Sequence, residues 1–351
     1  MIDFHKESLR ELRAGRPVLL ATVVSRKGSA PRAVGARLLL KTDGTLLGTV
    51  GGGLLEAEVL EEGRKLLTAG PARIHHVDMM GQGAEAAGMI CGGMVDVYLE
   101  RLEPKDPGLK SLLGDLVRTA EEDRPGVAAL ALDLDRPSGR RMLLTPAGAE
   151  KGSAWPPELT KVREKLASGR SLRPGQVEGY YLEPLQAPPT AYIFGGGHVS
   201  AQIAPLASLV DFRVVVIDDR EEFADPARFP SAQEVAKDSF EGVVERLKVG
   251  RSGYAVIVTR GHRWDGQVLA QLLTTPAVYI GMIGSRRKRD TIYDWLLEKG
   301  FSQKDLDRVH CPIGLDIEAE TPEEIGVAIV AELIKARARA GQSGAEKDWA
   351  V

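Results

Sequence analysis

The feature that most constrains how this chain folds is a run of three glycines between an apolar strand and a helix in its second half. The segment reads TAYIFGGGHVSAQIA, so that Gly195, Gly196 and Gly197 follow a strand-like stretch and lead into a helical one. Asp218 ends the next apolar stretch, FRVVVID, about twenty residues downstream, which is the spacing of a dinucleotide-binding fingerprint. This order predicts a strand, a tight turn and a helix whose first N–H groups face an anion.

Strands and helices alternate along the rest of the second half. Strand-length apolar runs such as YAVIVT and AVYIGMI are separated by helical stretches, and a closing helix is predicted from Pro322 to about Ala338. Strands that alternate with helices in this way favour a parallel sheet covered on both faces. We therefore predict an α/β fold, with a Rossmann-like doubly wound parallel sheet over residues 190–345.

The first half of the chain predicts a different architecture. Residues 1–103 combine an amphipathic helix, alternating strands joined by glycine turns, and a second helix, which indicates an N-terminal α+β domain. Residues 104–189 form a middle segment and linker with a weaker pattern, in which VAALALDL and RRMLLTP are a candidate hairpin. Prolines at 184, 188 and 189 disfavour both a helix and a central strand, so a domain boundary is predicted near residue 189.

Composition narrows the class of protein. Lys plus Arg number 46 against 49 Asp plus Glu, so the molecule as a whole has no field that favours nucleic acid or membrane. The two cysteines, Cys91 and Cys311, lie far apart in sequence and give no disulfide framework, which suits a reducing compartment. The charged start MIDFHKESLRELRAGR has no apolar signal core, and no stretch approaches the roughly 20 apolar residues of a membrane span. We expect a cytoplasmic protein that binds neither nucleic acid nor membrane.

The glycine turn of the second half has two interpretations. Its first glycine permits the tight turn, Gly197 lets the backbone approach a phosphate, and Ser200 takes the place of the fingerprint's third glycine. Asp218 is placed to accept hydrogen bonds from ribose hydroxyls and to repel a 2′-phosphate, which favours a ligand of the adenosine diphosphate type. The alternative is that the turn serves packing and binds nothing. Nucleotide binding would not by itself establish redox chemistry, because His198 and His262 stand in no familiar catalytic string.

Two further loops follow strands at the predicted carboxyl edge of the sheet, where open α/β sheets bind ligands. One contains Arg260 and Gly261, and the other reads GSRRKR over residues 284–289. In the second loop Ser285 is a candidate cap for a helix whose first turn holds four cations, which the helix dipole disfavours unless an anion lies nearby. A solvated basic helix face is the alternative.

A second run of three glycines precedes a helix in the first half. Gly51, Gly52 and Gly53 are followed closely by Glu56 and Glu58. These two carboxylates already complement the dipole at the start of that helix, so phosphate binding is the weaker interpretation of this run.

Neighbouring loops of the first half suggest a pocket of closely approaching backbone. Arg32 and Arg37 are available there as anion clamps. Cys91 is a small buried thiol, a soft metal ligand or a sulfur carrier. His75 and His76 are adjacent in a strand and face opposite sides, so they make a poor metal pair.

A series of motifs along the chain has a recognisable order: GSAPRAVGARLLL, GTVGGGLLEAEV, MICGGMVDVYLE, YIFGGGHVSAQIAPLA, VVVIDDREEFADPARFP, VIVTRGHRWDGQVL, YIGMIGSRRKR and HCPIGLDIEAETPEEIGVAIVAELI. Together these motifs resemble the xanthine dehydrogenase accessory factor family, also called XdhC/CoxI. The resemblance covers most of the chain and leaves only the middle segment outside.

The resemblance implies an N-terminal accessory domain joined to a C-terminal Rossmann domain, in a protein that matures a molybdenum hydroxylase such as xanthine dehydrogenase. Such a protein holds the molybdenum cofactor, a phosphorylated pterin dithiolene (molybdopterin) that can be extended to a dinucleotide, supports its sulfuration and delivers it to the apoenzyme. It acts as a chaperone more than as a free-standing enzyme. The implied cofactor contacts are the glycine runs and carboxyl-edge residues Gly51, Gly52, Gly53, Gly195, Gly196, Gly197, His198, Asp218, Asp219, Arg260, Gly261, His262, Gly284, Ser285, Arg286 and Lys288.

Within the resemblance, Cys91 becomes the leading candidate for a sulfur or molybdenum contact, because a thiolate suits molybdenum or persulfide chemistry. The implied partners are the hydroxylase apoenzyme and a cysteine desulfurase, and we expect a homodimer. The alternative function is an NAD-dependent oxidoreductase that uses the same Rossmann turn. A nucleic-acid binder that uses the 286–289 cluster is disfavoured by the balanced charge and the low aromatic content.

Overall fold

The structure is a computed structural model, and it describes residues 2–28, 32–78, 93–106, 108–149, 156–168 and 172–340. The chain divides into two compact units, one within residues 1–186 and one within residues 187–342. Each unit has its own sheet structure and its own apolar clusters.

The described part of the first unit combines four α-helices with two antiparallel sheets. The helices are α1 (Ile2–Arg13), α2 (Gly53–Thr68), α3 (Leu109–Glu121) and α4 (Thr160–Ala167), the last preceded by a 3₁₀ turn (Pro157–Leu159). The strands are β1 (Val18–Gly28), β2 (Arg37–Lys41), β3 (Leu46–Gly48), β4 (Arg73–Asp78), β5 (Gly93–Leu102), β6 (Val127–Ala131), β7 (Arg141–Thr145), β8 (Gly148–Ala149), β9 (Gly175–Val177) and β10 (Tyr180–Pro184).

The two sheets of the first unit each have five strands, ordered β3-β2-β1-β5-β4 and β8-β7-β6-β10-β9. The first sheet and its helices confirm the predicted N-terminal α+β architecture. The second sheet lies in the middle segment, and its hairpin forms as predicted, with Val127 opposite Leu144. Helix α3 was not predicted, although the buried Leu109, Leu113 and Leu116 are spaced for one face of a helix.

Buried ion pairs join the two sheets of the first unit. Arg37 on β2 donates through Nη1 to Oε1 of Glu183 on β10 over 2.6 Å, and through Nη2 to the second carboxylate oxygen. Arg141 on β7 pairs through Nη2 with Oε1 of Glu100 on β5. The Arg37 residue is 6% exposed, so its guanidinium is not free to bind a ligand. The expectation that Arg37 is an anion clamp is therefore wrong, because a buried cation needs a partner inside the protein.

The described part of the second unit alternates strands and helices. The strands are β11 (Thr190–Phe194), β12 (Arg213–Asp218), β13 (Glu234–Lys237), β14 (Gly253–Ile257), β15 (Tyr279–Met282) and β16 (Val309–His310). The helices are α5 (His198–Leu209), α6 (Val243–Leu247), α7 (His262–Leu273), α8 (Arg286–Glu298), α9 (Gln303–Leu306) and α10 (Pro322–Ala340), with a 3₁₀ turn at Pro226–Arg228. Across the described ranges of both units, no helix is long and apolar enough to cross a membrane.

The sheet of the second unit is parallel throughout, in the order β13-β12-β11-β14-β15-β16. Its central strands are buried, and separate apolar clusters cover the two faces, one containing Ile257 and Leu269 and the other Val216 and Ile329. The doubly wound Rossmann-like prediction is confirmed. The two edge strands, β13 and β16, were not predicted because they are short and only partly buried.

Candidate functional site

The candidate site lies at the carboxyl edge of the parallel sheet, where the strand order reverses between β11 and β14. Strand β11 is followed by the glycine turn, and Gly195 there has a φ of +111°, which favours glycine. A Cβ at Gly195 would lie 2.5 Å from the Val258 carbonyl oxygen, so the turn packs directly on the loop that follows β14. Open α/β sheets bind their ligands at such a switch point.

Gly196 is fixed on both of its backbone polar groups. Its N–H donates to Asp218 Oδ2 over 2.7 Å, and its carbonyl accepts from Arg228 Nη1 over 2.8 Å. A Cβ at this position would lie 2.2 Å from the Phe223 carbonyl oxygen. Packing therefore requires glycine at position 196, and hydrogen bonds from within the protein fix the turn.

Gly197 differs from the two glycines before it. It is the N-cap of α5, with φ −76° and ψ −167°, and no side chain caps the helix there. A Cβ at Gly197 would meet no protein atom within 4 Å. The next residue, His198, is exposed, while Ser200 is buried and donates to the Gly195 carbonyl. The start of α5 therefore presents its first N–H groups beside open space, which suits an anion.

Asp218, at the end of β12, is almost entirely buried, with 1% of the residue exposed. Its Oδ1 accepts from the Arg220 N–H over 3.0 Å and from Arg220 Nε over 2.9 Å. Its Oδ2 accepts from Gly196 N–H and from Arg220 Nη2, the latter over 2.9 Å. Burial opposes ionisation, but the hydrogen bonds from Arg220 and Gly196 outweigh it and hold the pKa of Asp218 below its ordinary value.

The segment after β12 packs over the glycine turn. The Arg220 guanidinium lies 3.6 Å from the centre of the Phe223 ring, and Arg228 lies 4.9 Å from the same ring. Asp219, a proposed cofactor contact, is partly exposed beside Arg220. Sequence reasoning missed the roles of Arg220, Phe223 and Arg228, although the motif DDREEFADPARFP directly follows the strand that carries the acidic residue and was a usable signal.

The loop after β14 carries a second set of expected contacts. Arg260 is exposed, and Gly261 is the N-cap of α7, with open space around a Cβ built there. Thr259 donates to Oδ1 of Asp265 over 2.6 Å, and Asp265 is fully buried. Burial raises the pKa of Asp265 above its ordinary value, in opposition to the hydrogen bonds from Lys288 and Thr259. His262 begins α7, and the structure does not describe its side chain.

The loop after β15 begins α8 as expected, with Ser285 as the N-cap accepting from the Lys288 N–H over 3.3 Å. Lys288 turns inward, where its ammonium pairs with Asp265 and donates to the Ile283 carbonyl over 3.1 Å. Arg286 is exposed in the first turn. The basic cluster is thus divided between an internal ion pair and cations that face solvent.

Cys311 lies at the same edge, directly after β16, and sequence reasoning gave it no role. The thiol is half-buried. Burial raises the pKa of Cys311 to about 11, against the lowering effect of Arg289 and Lys288. This cysteine is therefore a protonated, weakly reactive thiol at neutral pH.

The first glycine run lies in the other unit, at the start of α2. Thr49 donates its hydroxyl to Glu56 and accepts from the Gly51 N–H over 3.1 Å. Glu56 is in the first turn of α2, the place expected for a partner of the helix dipole. A Cβ at Gly52 or Gly53 would meet open space.

The remaining candidates of the first unit do not assemble a metal site within the described ranges. His75 Nε2 lies 3.0 Å from Glu58 Oε2, and His76 Nδ1 lies 2.7 Å from Asp96 Oδ1, so the two histidines use different partners. Nowhere in the described part of the chain are three His, Cys, Asp or Glu side chains grouped to hold a metal ion. Cys91 lies outside the described residues.

The second unit is thus a Rossmann-type domain with a glycine turn at the switch point of its parallel sheet, and the first is an antiparallel α+β unit. Residues 191–333 match a family model described as the XdhC Rossmann domain, and residues 11–78 match one described as the XdhC and CoxI family. The chain belongs to the XdhC and CoxI family, which confirms the resemblance of its motifs.

Relatives match along most of the chain. It is 26% identical to the uncharacterized protein YqeB of Escherichia coli (strain K12), over 92% of this chain but 44% of YqeB, so the chain spans less than half of that relative. It is 25% identical to a probable xanthine dehydrogenase subunit from Bacillus subtilis (strain 168), over 97% of this chain and 99% of that protein. It is 22% identical to the molybdenum cofactor insertion chaperone PaoD of Escherichia coli (strain K12), over 96% and 90% of the two chains.

A solved structure supports the fold. The crystal structure described as a xanthine dehydrogenase from Bacillus halodurans matches with a TM-score of 0.74 at 23% identity, over 98% of this chain and 99% of that one. At this identity the likeness establishes the fold alone.

Proposed function

We propose that this protein is an accessory factor for the maturation of a molybdenum hydroxylase such as xanthine dehydrogenase, and that it binds the molybdenum cofactor and delivers it to the apoenzyme. The observation that carries the proposal is the glycine turn of the second unit. Gly195 and Gly196 are locked by backbone contacts, whereas Gly197 faces open space at the start of α5. Family membership and the likeness to PaoD along nearly the whole chain support the choice of cofactor.

The described residues fit the phosphate end of this cofactor. The N-terminal N–H groups of α5 supply donors and the positive end of a helix dipole, and Gly197 lets the phosphate come close. Exposed Arg260 and Arg286, on the loops after β14 and β15, are candidates to bind further negative charge on the same edge. When bound, the cofactor supplies the molybdenum chemistry, and this chain binds and orients it.

We propose Cys91 for the sulfur chemistry, because a thiolate suits molybdenum or persulfide chemistry. A cysteine desulfurase is the proposed sulfur donor, and the hydroxylase apoenzyme is the recipient of the cofactor. We further propose that the protein acts in the cytoplasm as a homodimer.

The test is an anaerobic titration of the purified protein with molybdenum cofactor, followed by the dithiolene absorbance, with NAD titrated in parallel. Saturable cofactor binding, followed by activation of a cofactor-free hydroxylase, is the expected result. Tight NAD binding without cofactor uptake would favour the NAD-dependent oxidoreductase, for which the Rossmann turn itself is the supporting observation.

A further inference from the structure

The carboxylate of Asp218 has no acceptor position left for a ligand. An ionised carboxylate offers about four lone-pair positions. Two on Oδ1 are taken by the Arg220 N–H and Nε, and two on Oδ2 by the Gly196 N–H and Arg220 Nη2, at distances between 2.7 and 3.0 Å. Only 1% of Asp218 is exposed.

A ribose diol needs such free positions. In a Rossmann site that binds NAD, the acidic residue at the end of the second strand accepts from the ribose hydroxyls. In this chain, β12 is that strand and Asp218 ends it. A ribose placed there would have to displace Arg220 before it could reach the carboxylate.

Arg220 is held in the position that closes this subsite. Its guanidinium binds both oxygens of Asp218 and lies over the ring of Phe223, 3.6 Å from the ring centre. Phe223 in turn is held by Arg228, whose guanidinium lies 4.9 Å from the ring and also donates to Gly196. Moving Arg220 would break charge-assisted hydrogen bonds and leave a buried carboxylate without its cation.

The charges around the subsite also disfavour a second phosphate near β12. Asp219 is partly exposed next to Arg220, and Glu222 is exposed just beyond it, whereas Glu221 pairs with Lys237. A 2′-phosphorylated ribose would meet these carboxylates. Neither NAD nor its 2′-phosphorylated form, NADP, therefore suits the site at the end of β12.

We infer that Arg220 is a specificity-determining residue: it closes the ribose subsite of the Rossmann turn, so that the turn takes a phosphate ester that presents no ribose diol at the end of β12. Asp218 is then a positioning residue for Gly196. The identity of the ligand rests on the proposed function, and the closed subsite favours the molybdopterin phosphate over NAD. The closure of the subsite itself rests on the geometry alone.

The test compares wild type with Arg220→Leu and Arg220→Lys by calorimetric titration with NAD, ADP and 2′,3′-dideoxy-ADP. In wild type, NAD should bind weakly and the two ADP forms should bind alike or not at all. In the variants, freed positions on Asp218 should raise NAD affinity at least about tenfold and make ADP bind more tightly than its dideoxy analogue. Arg220→Lys keeps the positive charge but cannot bind both oxygens of Asp218 in the bidentate geometry of arginine. It therefore provides a second variant to measure if Arg220→Leu does not fold.

Lys237→Leu is the matched control. It removes one cation from the same part of the molecule, but the Lys237 ammonium pairs with the exposed Glu221 and not with the Asp218 carboxylate. Its NAD affinity should equal that of wild type.

Two results would overturn the inference. The first is a wild type that binds ADP clearly more tightly than 2′,3′-dideoxy-ADP, and the second is folded Arg220 variants that gain no affinity for NAD. The cofactor titration tests the proposed function separately. If the proposed function is wrong, wild type takes up no molybdenum cofactor, whatever the nucleotide titrations show.

Discussion

The Gly196 N–H donates to the Asp218 carboxylate over 2.7 Å, and this hydrogen bond ties the glycine turn to the end of the neighbouring strand. Arg228 donates to the carbonyl of the same glycine, so both backbone polar groups of Gly196 are occupied from within the protein. One residue further on, Gly197 has open space around it. We therefore expect stability to depend on Gly196 and ligand binding on Gly197, so that mutation can separate the two effects.

Gly197→Val should abolish binding of the cofactor phosphate while the second unit stays folded. The valine side chain extends into the open space in front of α5, and its cost to the helix is that of replacing a glycine N-cap, about 1 kcal/mol. Cofactor titration and circular dichroism measure the two effects.

Gly108→Val is the matched control for this prediction, because Gly108 is also an N-cap with negative φ, at the start of α3 in the other unit. It should leave cofactor affinity unchanged.

Gly196→Ala should behave in the opposite way to Gly197→Val, with a loss of about 1–3 kcal/mol in stability, since its Cβ would meet the Phe223 carbonyl oxygen at 2.2 Å. Full cofactor affinity in Gly197→Val would disprove the phosphate assignment.

Asp218→Asn should destabilise the second unit at neutral pH by about 1–3 kcal/mol, because the charge-assisted hydrogen bonds from Arg220 are weakened. The pKa of Asp218 is lowered in the folded state. Its carboxylate therefore adds stability that is present above the unfolded pKa and is lost as the pH falls through the lower folded pKa. The gap in free energy of unfolding between wild type and Asp218→Asn should be widest at pH 7 and should narrow below about pH 4.

Hydrogen exchange of peptides that cover the glycine turn measures this gap within the second unit. Asp225→Asn is the control, since Asp225 is exposed and only caps a 3₁₀ turn. A gap that keeps the same size from pH 7 to pH 3 would contradict the linkage.

The fold of the second unit could be predicted from the sequence because the patterns that indicate it lie within short stretches of the chain. A buried strand, a glycine turn and a helix occur in sequence order, and each repeat of that order predicts one more parallel strand. The closure of Asp218 by Arg220 could not be predicted from the sequence, because an acidic residue at a strand end gives the same sequence pattern whether its carboxylate binds a ribose or an arginine. The Arg37–Glu183 pair was missed for a related reason: its partners are separated by most of the first unit in sequence, and only the fold brings them together.

Glu183→Gln should destabilise the first unit by about 3–5 kcal/mol, since it leaves Arg37 buried without a counter-charge. Replacing both residues, as Arg37→Met with Glu183→Leu, should cost less than the single change. Burial opposes ionisation of Glu183, but Arg37 and His5 hold its pKa well below the usual range, so the pair should persist from pH 8 to pH 4.

Hydrogen exchange in β2 and β10 reports the loss, with β11 as the internal reference. Glu61→Gln is the matched control, because Glu61 pairs with Lys65 on the exposed face of α2 and should contribute less than about 1 kcal/mol. Equal effects of Glu183→Gln and Glu61→Gln would show that the buried pair does not support the unit.

The two cysteines should differ in reactivity and in function. The pKa of Cys311 is raised to about 11 by burial, so at pH 8 its thiolate fraction is about a hundredfold smaller than that of an ordinary cysteine, and alkylation by iodoacetamide should be correspondingly slow. Cys91, as the proposed sulfur or molybdenum contact, should be alkylated faster, and Cys91→Ala should reduce activation of the client hydroxylase while Cys311→Ala leaves it unchanged. Mass spectrometry of each labelled peptide measures the two alkylation rates, and the activity of the client hydroxylase measures the effect of each substitution. Faster labelling of Cys311, together with loss of activation in Cys311→Ala alone, would move the sulfur chemistry to the carboxyl edge of the Rossmann sheet.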